Sequence, residues 1–258
     1  MAVVISWNHD KGGVGKTVSV VETAYILGKI HKANVLVIDL DGQANATKHI
    51  TGTVPLKGIY NLLMSENVPW HDLLLDAVGD WGNVVVLPAT KLLSNWEKSI
   101  PADRLERELI LAEVLEPIKP MFDFILIDNP PNIDLRPINA LAAADYYVIP
   151  TDSSEYSLDG VRSIQAYAKA VSKRLNPKLE LLAVFVAGHD KGNSIVVRAI
   201  MEELKELAPG KFWGTIPSSV KILEAQKLNT SVLQVAPDSK VAEQYTNLVA
   251  HIKEAVNG

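Results

Sequence analysis

Three glycines and two lysines stand together in Asn8-His9-Asp10-Lys11-Gly12-Gly13-Val14-Gly15-Lys16-Thr17, between an apolar run and a helical pattern. A strand, a glycine-rich turn and a helix in that order make a phosphate-binding loop. Gly12, Gly13 and Gly15 let the backbone turn so that its N–H groups face phosphate oxygens. The Lys16 ammonium is expected over the β- and γ-phosphates of a nucleoside triphosphate. The Thr17 hydroxyl is expected on Mg²⁺, and the helix N-terminus adds partial positive charge. Val14 and Val18 complete the loop and the first helical turn around the phosphates. A chance turn with two stray lysines would not come with both flanking elements and a Gly-Lys-Thr ending.

Carboxylates that could serve such a site end two other apolar runs. In Val35-Leu36-Val37-Ile38-Asp39-Leu40-Asp41, strand alternation puts Asp39 and Asp41 on one side, at the end where a nucleotide would sit. Two carboxylates there can serve Mg²⁺ through its waters and orient an attacking water. An isolated Asp-x-Asp more often caps a turn, so the pair gains meaning only from its neighbours. Phe122-Asp123-Phe124-Ile125-Leu126-Ile127-Asp128 is a hydrophobic strand ending in an acid, and Asp128 is expected to hold Mg²⁺ through water.

The elements that must position these groups follow from periodicity. Apolar runs rich in β-branched residues recur at Val3–Trp7, Val35–Leu40, Val84–Leu87, Phe122–Ile127, Tyr146–Ile149 and Leu181–Val186. Several are continuous, as in strands buried on both faces of a parallel sheet. Helical periodicity lies between them, around residues 16–31, 103–116, 157–174, 194–207 and 239–256. That alternation predicts a single-domain α/β fold over residues 1–258, a mostly parallel central sheet with helices on both faces. Ligands bind such folds at the carboxyl ends of strands.

Lys-Gly-Gly-Val-Gly-Lys-Thr, with its extra Lys11, resembles the deviant Walker A box of the ParA/MinD superfamily of P-loop ATPases. Asp10, where the strict motif has glycine, leans toward ParA. Asp39-Leu40-Asp41-Gly42-Gln43-Ala44-Asn45-Ala46-Thr47 is similar to the ParA switch I box. The resemblance implies that Lys11 reaches across a dimer interface to the partner's phosphates, that Asp39 supports Mg²⁺, and that Asp41 positions the hydrolytic water. The family usually has proline at Gly42, which predicts a looser switch, and a Ser-Leu-Gly-like stretch where Asn132-Ile133-Asp134 stands. Ile216-Pro217-Ser218-Ser219-Val220-Lys221 resembles the ParA segment that lies by the adenine and carries a DNA-binding arginine. Pro217 is thereby expected at the base, and Lys221 at DNA. Lys191, in Asp190-Lys191-Gly192-Asn193, is a weaker counterpart of another DNA-contact loop.

The composition frames what such a protein touches. The net charge is −5, against a globally basic nucleic-acid binder. Residues 1–160 hold 12 Lys/Arg and 21 Asp/Glu, a balance of −9, whereas residues 161–258 hold 13 and 9, a balance of +4. Surface scatter explains that asymmetry as readily as DNA does. There is no cysteine, which removes disulfides and the clusters of nitrogenase-reductase relatives. No apolar run spans a bilayer, and residues 250–258 are too mixed in charge to anchor as MinD tails do. The first strand stands at the start of the sequence, so neither a signal peptide nor a preceding helix-turn-helix is expected. The resemblance implies a short ParA/Soj-like form: a cytoplasmic, nucleoid-associated ATPase that takes ATP and Mg²⁺ and forms a homodimer on ATP. It also implies a role in plasmid or chromosome partition, with non-specific duplex DNA and a ParB-like or adaptor protein as partners and no membrane. The rival expectation is a ParA-like positioner of a protein cargo.

Overall fold

The computed structural model describes residues 2–154, 156–189 and 195–257. Its strands are β1 (Val3–Trp7), β2 (Val35–Asp39), β3 (Leu75–Asp76), β4 (Val84–Leu87), β5 (Phe124–Asp128), β6 (Tyr146–Thr151), β7 (Glu180–His189) and β8 (Phe212–Pro217). They form one sheet in the order β3-β4-β2-β5-β1-β6-β7-β8. Every pairing is parallel except that of the short edge strand β3 with β4.

Side-chain alternation sorts the strand residues onto two apolar layers. Ile5, Trp7, Val35, Val37, Leu126 and Phe185 pack with Val20, Val21 and Ala24 of α1 (Lys16–Tyr25) and with Tyr245, Leu248 and Ile252 of α11 (Lys240–Asn257). Val4, Leu36, Ile38, Ile125 and Ile127 face the other way. They meet α5 (Ile110–Leu115), α6 (Leu135–Ala143), α7 (Tyr156–Arg174) and α8 (Ile195–Leu207). The expected α/β architecture is therefore present. The apolar face of α11 is spent on the core, and no helix among the described residues is long and apolar enough to cross a membrane.

Three expectations need correction. Residues 103–109 are not helical: Glu106 adopts φ 51°, and turn hydrogen bonds Arg104 N–H to Pro101 and Leu109 N–H to Glu106 break the chain before α5. The strand expected at Phe122–Ile127 starts at Phe124 and runs through Asp128, because residues 119–121 form a 3-10 turn. β8 was not expected, since Gly214 at φ 128° and Pro217 interrupt its apolar pattern.

Candidate functional site

Three adjacent strands deliver the candidate chemistry to one edge. β5 lies between β1 and β2, and the register places Trp7 beside Asp128 and Asp39 beside Asp128. The loop after Trp7 therefore starts next to two strand-end carboxylates. Gly13 (φ 80°) and Gly15 (φ 85°) both need the left-handed region, and a Cβ at Gly15 would stand 2.8 Å from that of Ala187. Gly12 has neither constraint. Val14 is buried, Thr17 and Val18 are half-buried, and α1 begins at Lys16.

Lys16 is 6% exposed, and its Nζ donates to the carbonyls of His9 (3.0 Å) and Lys11 (3.1 Å). Burial presses its pKa down, while Asp128, Asp41 and Asp10 oppose. Asp39 is fully buried; its Oδ2 accepts from the Thr47 backbone N–H (2.9 Å) and hydroxyl (2.8 Å), and its Oδ1 from the Asp41 N–H (3.0 Å). Burial still pushes its carboxyl up to about 6. Asp128 is raised well above the usual range, by burial first and by Asp39 second. The nearby Thr17 hydroxyl and Lys16 ammonium oppose only in part. Neither Asp128 oxygen makes a hydrogen bond among the described residues. Two buried carboxylates that resist ionising together, one with unpartnered oxygens, fit a divalent cation. No group of three or more acidic or histidine side chains able to cage a metal exists among the described residues. The set therefore fits Mg²⁺, which keeps its waters and takes phosphate oxygens, better than a fully caged ion.

Lys11 is held differently. Its side chain is 43% exposed and turns to the start of α7, where its ammonium pairs with Asp152 and lies 3.3 Å from Ser154 Oγ. Asp152 Oδ1 also accepts from the Ser154 N–H (3.0 Å), the Ser154 hydroxyl (2.6 Å) and the Ser157 hydroxyl (2.9 Å). Burial alone would raise this carboxyl. The bonds from Lys11, Ser154 and Ser157 outweigh it and hold the group below the usual carboxylate range. The Lys11 backbone N–H donates to Nδ1 of buried His9 (3.0 Å), whose pKa is lowered to about 4, mainly by burial. A Cβ on Gly160 would stand 2.5 Å from that imidazole, so α7 seats the ring closely.

The AAA domain family profile matches residues 2–181. The chain is 33% identical to the "Chromosome-partitioning ATPase Soj" of Thermus thermophilus over 98% of its own length and 96% of that protein's. It is 32% identical to the "Sporulation initiation inhibitor protein Soj" of Bacillus subtilis over the full length of both. The chain belongs to the ParA/MinD-type P-loop ATPases. A solved structure of a Cyanothece McdA variant in complex with ATP superposes with a TM-score of 0.83, at 23% identity, covering 99% of this chain and 96% of that one.

Against the ParA pattern, the remaining expected residues separate into three groups. Pro217 ends β8 at the carboxyl edge, paired in register with His189, and is half-buried. Lys221 lies in the first turn of α9 (Val220–Lys227), with its Nζ 2.8 and 3.0 Å from the Glu224 carboxylate. Lys191 lies outside the described residues. The ParA-like switch I carries a correction, because Gly42 does not loosen it. A Cβ there would overlap Ser94 Oγ, so glycine admits a close approach from the segment after β4. Arg136 holds the switch from the other side: its Nη1 donates to the Leu40 carbonyl at 3.3 Å, while Nε and Nη2 bond Asp134. Asp134 lies in the stretch that departs from the family pattern, and that departure was the one signal in the sequence pointing to it; Arg136, two residues on, carried none. His9 and Asp152 carried no such signal.

Proposed function

We propose that the chain is an ATP-dependent dimerisation switch that hydrolyses ATP slowly, binds duplex DNA non-specifically as the ATP dimer and drives plasmid or chromosome partition. One observation carries the reading: the loop's two lysines are held in opposite ways. Lys16 is buried in the loop with its ammonium on loop carbonyls, whereas the Lys11 ammonium stands at the rim on Asp152. Lys16 and the loop N–H groups bind the phosphates of ATP. Thr17, Asp39 and Asp128 would hold Mg²⁺, which when bound would supply positive charge against the phosphates. Asp41, half-buried and one residue beyond Leu40, orients the attacking water. Val14, Val18 and Pro217 line the nucleotide. Lys11 leaves Asp152 to reach the phosphates held by a second copy, and a ParB-like partner stimulates turnover. The name of the Thermus thermophilus relative, a chromosome-partitioning ATPase, supports the partition assignment.

Lys11→Ala protein is expected to bind ATP as tightly as the parent and to stay monomeric with a non-hydrolysable analogue. Light scattering reads this directly, and a variant that dimerises normally would sink the model. A second reading, a positioner of protein cargo, is favoured by one observation: the Glu224 carboxylate already neutralises Lys221, the described residue expected at DNA. Duplex binding by the ATP dimer separates the two.

A further inference from the structure

At the carboxyl edge of the sheet a cleft of about 460 Å³ opens between the segment after β4 and the start of α6. That size suits a small ligand group or an inserted side chain. Ser94, Lys98, Arg107, Asp134 and Arg136 line it. Two of these are the residues that hold switch I: Ser94 abuts Gly42, and Arg136 donates to the Leu40 carbonyl.

The charges of the cleft are unequally satisfied. Arg136 is 8% exposed and neutralised by Asp134, which also caps α6 by accepting the Arg136 N–H at 2.9 Å. Arg107 is half-buried and has no carboxylate partner among the described residues. Its Nη2 donates to the Glu97 carbonyl at 2.9 Å, and its Nε is shut off from solvent with no hydrogen bond. Lys98 adds an exposed cation without an ion pair among the described residues; the carboxylates of the lining are the exposed Glu97 and Asp134, which Arg136 neutralises. With Nε closed to solvent, an oxyanion entering the cleft would meet the Nη end of the guanidinium, which can take a planar or tetrahedral oxyanion with parallel N–H bonds.

We propose that this cleft is a binding site for an oxyanion, a carboxylate or phosphate group, held by Arg107, whose occupancy is felt at Leu40 and Gly42. The route is short: a ligand on Arg107 touches the cleft walls that Ser94 and Arg136 form, and those residues contact the two switch positions. The site does not depend on the dimerisation reading, because binding and its effect on the backbone are measurable without turnover.

The test is amide NMR of the protein saturated with ADP and Mg²⁺, so that added anions do not enter the phosphate loop. Glutarate and inorganic phosphate are titrated in separate arms at constant ionic strength. With one oxyanion held on one guanidinium, the Kd is expected on the order of a millimolar. Saturable shifts at Ser94 and Asn95, together with Leu40 and Gly42, are expected in at least one arm, and the tighter arm identifies the source. Arg107→Ala should abolish the response, and Arg107→Lys should weaken it roughly tenfold while leaving the rest of the spectrum in place. Shifts that survive Arg107→Ala, that never saturate, or that leave Leu40 and Gly42 unmoved would overturn the proposal.

Discussion

At β1, β5 and β2 the charged groups are buried: Lys16, Asp39 and Asp128 are 6%, 0% and 0% exposed. At β8 and α9 the candidate cation Lys221 has a side chain 43% exposed and leans on Glu224. Desolvating a charge costs several kcal/mol, so a buried lysine beside buried carboxylates marks a candidate for binding or catalysis. An exposed lysine costs little and carries no such implication. The first edge therefore argues for its chemistry from burial alone. At the second, the role of each cation depends on its neighbours.

The largest expected effect tests the buried edge. Lys16→Ala removes a desolvated ammonium from the loop centre. Since hydrogen bonds to charged groups contribute about 1.5–3 kcal/mol each, nucleotide affinity should fall by about a hundredfold or more. Calorimetric titration with ATP and Mg²⁺ measures it, and a change under threefold would contradict the assigned phosphate contact.

Next comes the division of labour within switch I. Asp39 is tied to Thr47 and Asp41 by three hydrogen bonds, whereas among the described residues the Asp41 carboxylate accepts only the Gln43 N–H at 3.0 Å. Asp41→Ala should leave ATP binding intact, lower kcat by about 10²-fold or more, and trap an ATP-bound dimer. Turnover at the parental rate would mean that the water is oriented by another group.

These two edges also differ in how much of them the sequence disclosed. Asp39, Asp128 and the loop were legible because strand periodicity, terminal acids and glycine spacing are local signals, and the register of β1, β5 and β2 follows from parallel pairing. His9, Asp152 and Arg136 were not, because each acts through a partner far along the chain: Gly160, Lys11 and Leu40. The Gly42 expectation failed for the same reason, since Ser94 lies 52 residues away in sequence. Likewise Glu224 alters the meaning of Lys221 only once α9 is known to place them one turn apart.

A third prediction concerns a buried acid behind the phosphate loop. Glu22 of α1 is fully buried, accepts from Ser231 Oγ and the Val232 N–H (3.0 Å), and faces Tyr245 of α11. Burial pushes its pKa from 4.5 to about 7, against the pull of those bonds. A folded-state pKa raised above the unfolded one gives stability that is full below about pH 4.5 and is lost as pH rises through about 7. The loss amounts to about 3 kcal/mol at most. Glu22→Gln should flatten this part of the stability profile in urea titrations between pH 5 and 7.5, leaving the slope of Asp39 and Asp128, which has the same sign. An unchanged slope would show that Glu22 ionises normally.

The smallest effect sits at the exposed edge and bears on whether DNA is the track. If Lys221 contacts a phosphate in the ATP dimer, Lys221→Glu should weaken random duplex for all sequences alike. Each phosphate that the variant leaves unneutralised lowers the salt slope of binding by about 0.9. Glu224 adds an opposite test, because Nζ must exchange a carboxylate at 2.8 Å for the phosphate. Exposed pairs of this kind contribute about 0–1 kcal/mol, so Glu224→Gln should tighten duplex binding by roughly two- to fivefold per subunit. Neither substitution should change ATP-dependent dimerisation, since Lys221 and Glu224 pair with each other and neither bonds the Lys11–Asp152 pair. Anisotropy titrations with ATP and with ADP, at several salt concentrations, read both variants together. Opposite shifts in affinity place a phosphate at Lys221. If the ATP dimer binds duplex and neither variant alters it, the contact lies elsewhere on the basic C-terminal third. If it binds no duplex even at low salt, the partition reading gives way to the positioner of protein cargo.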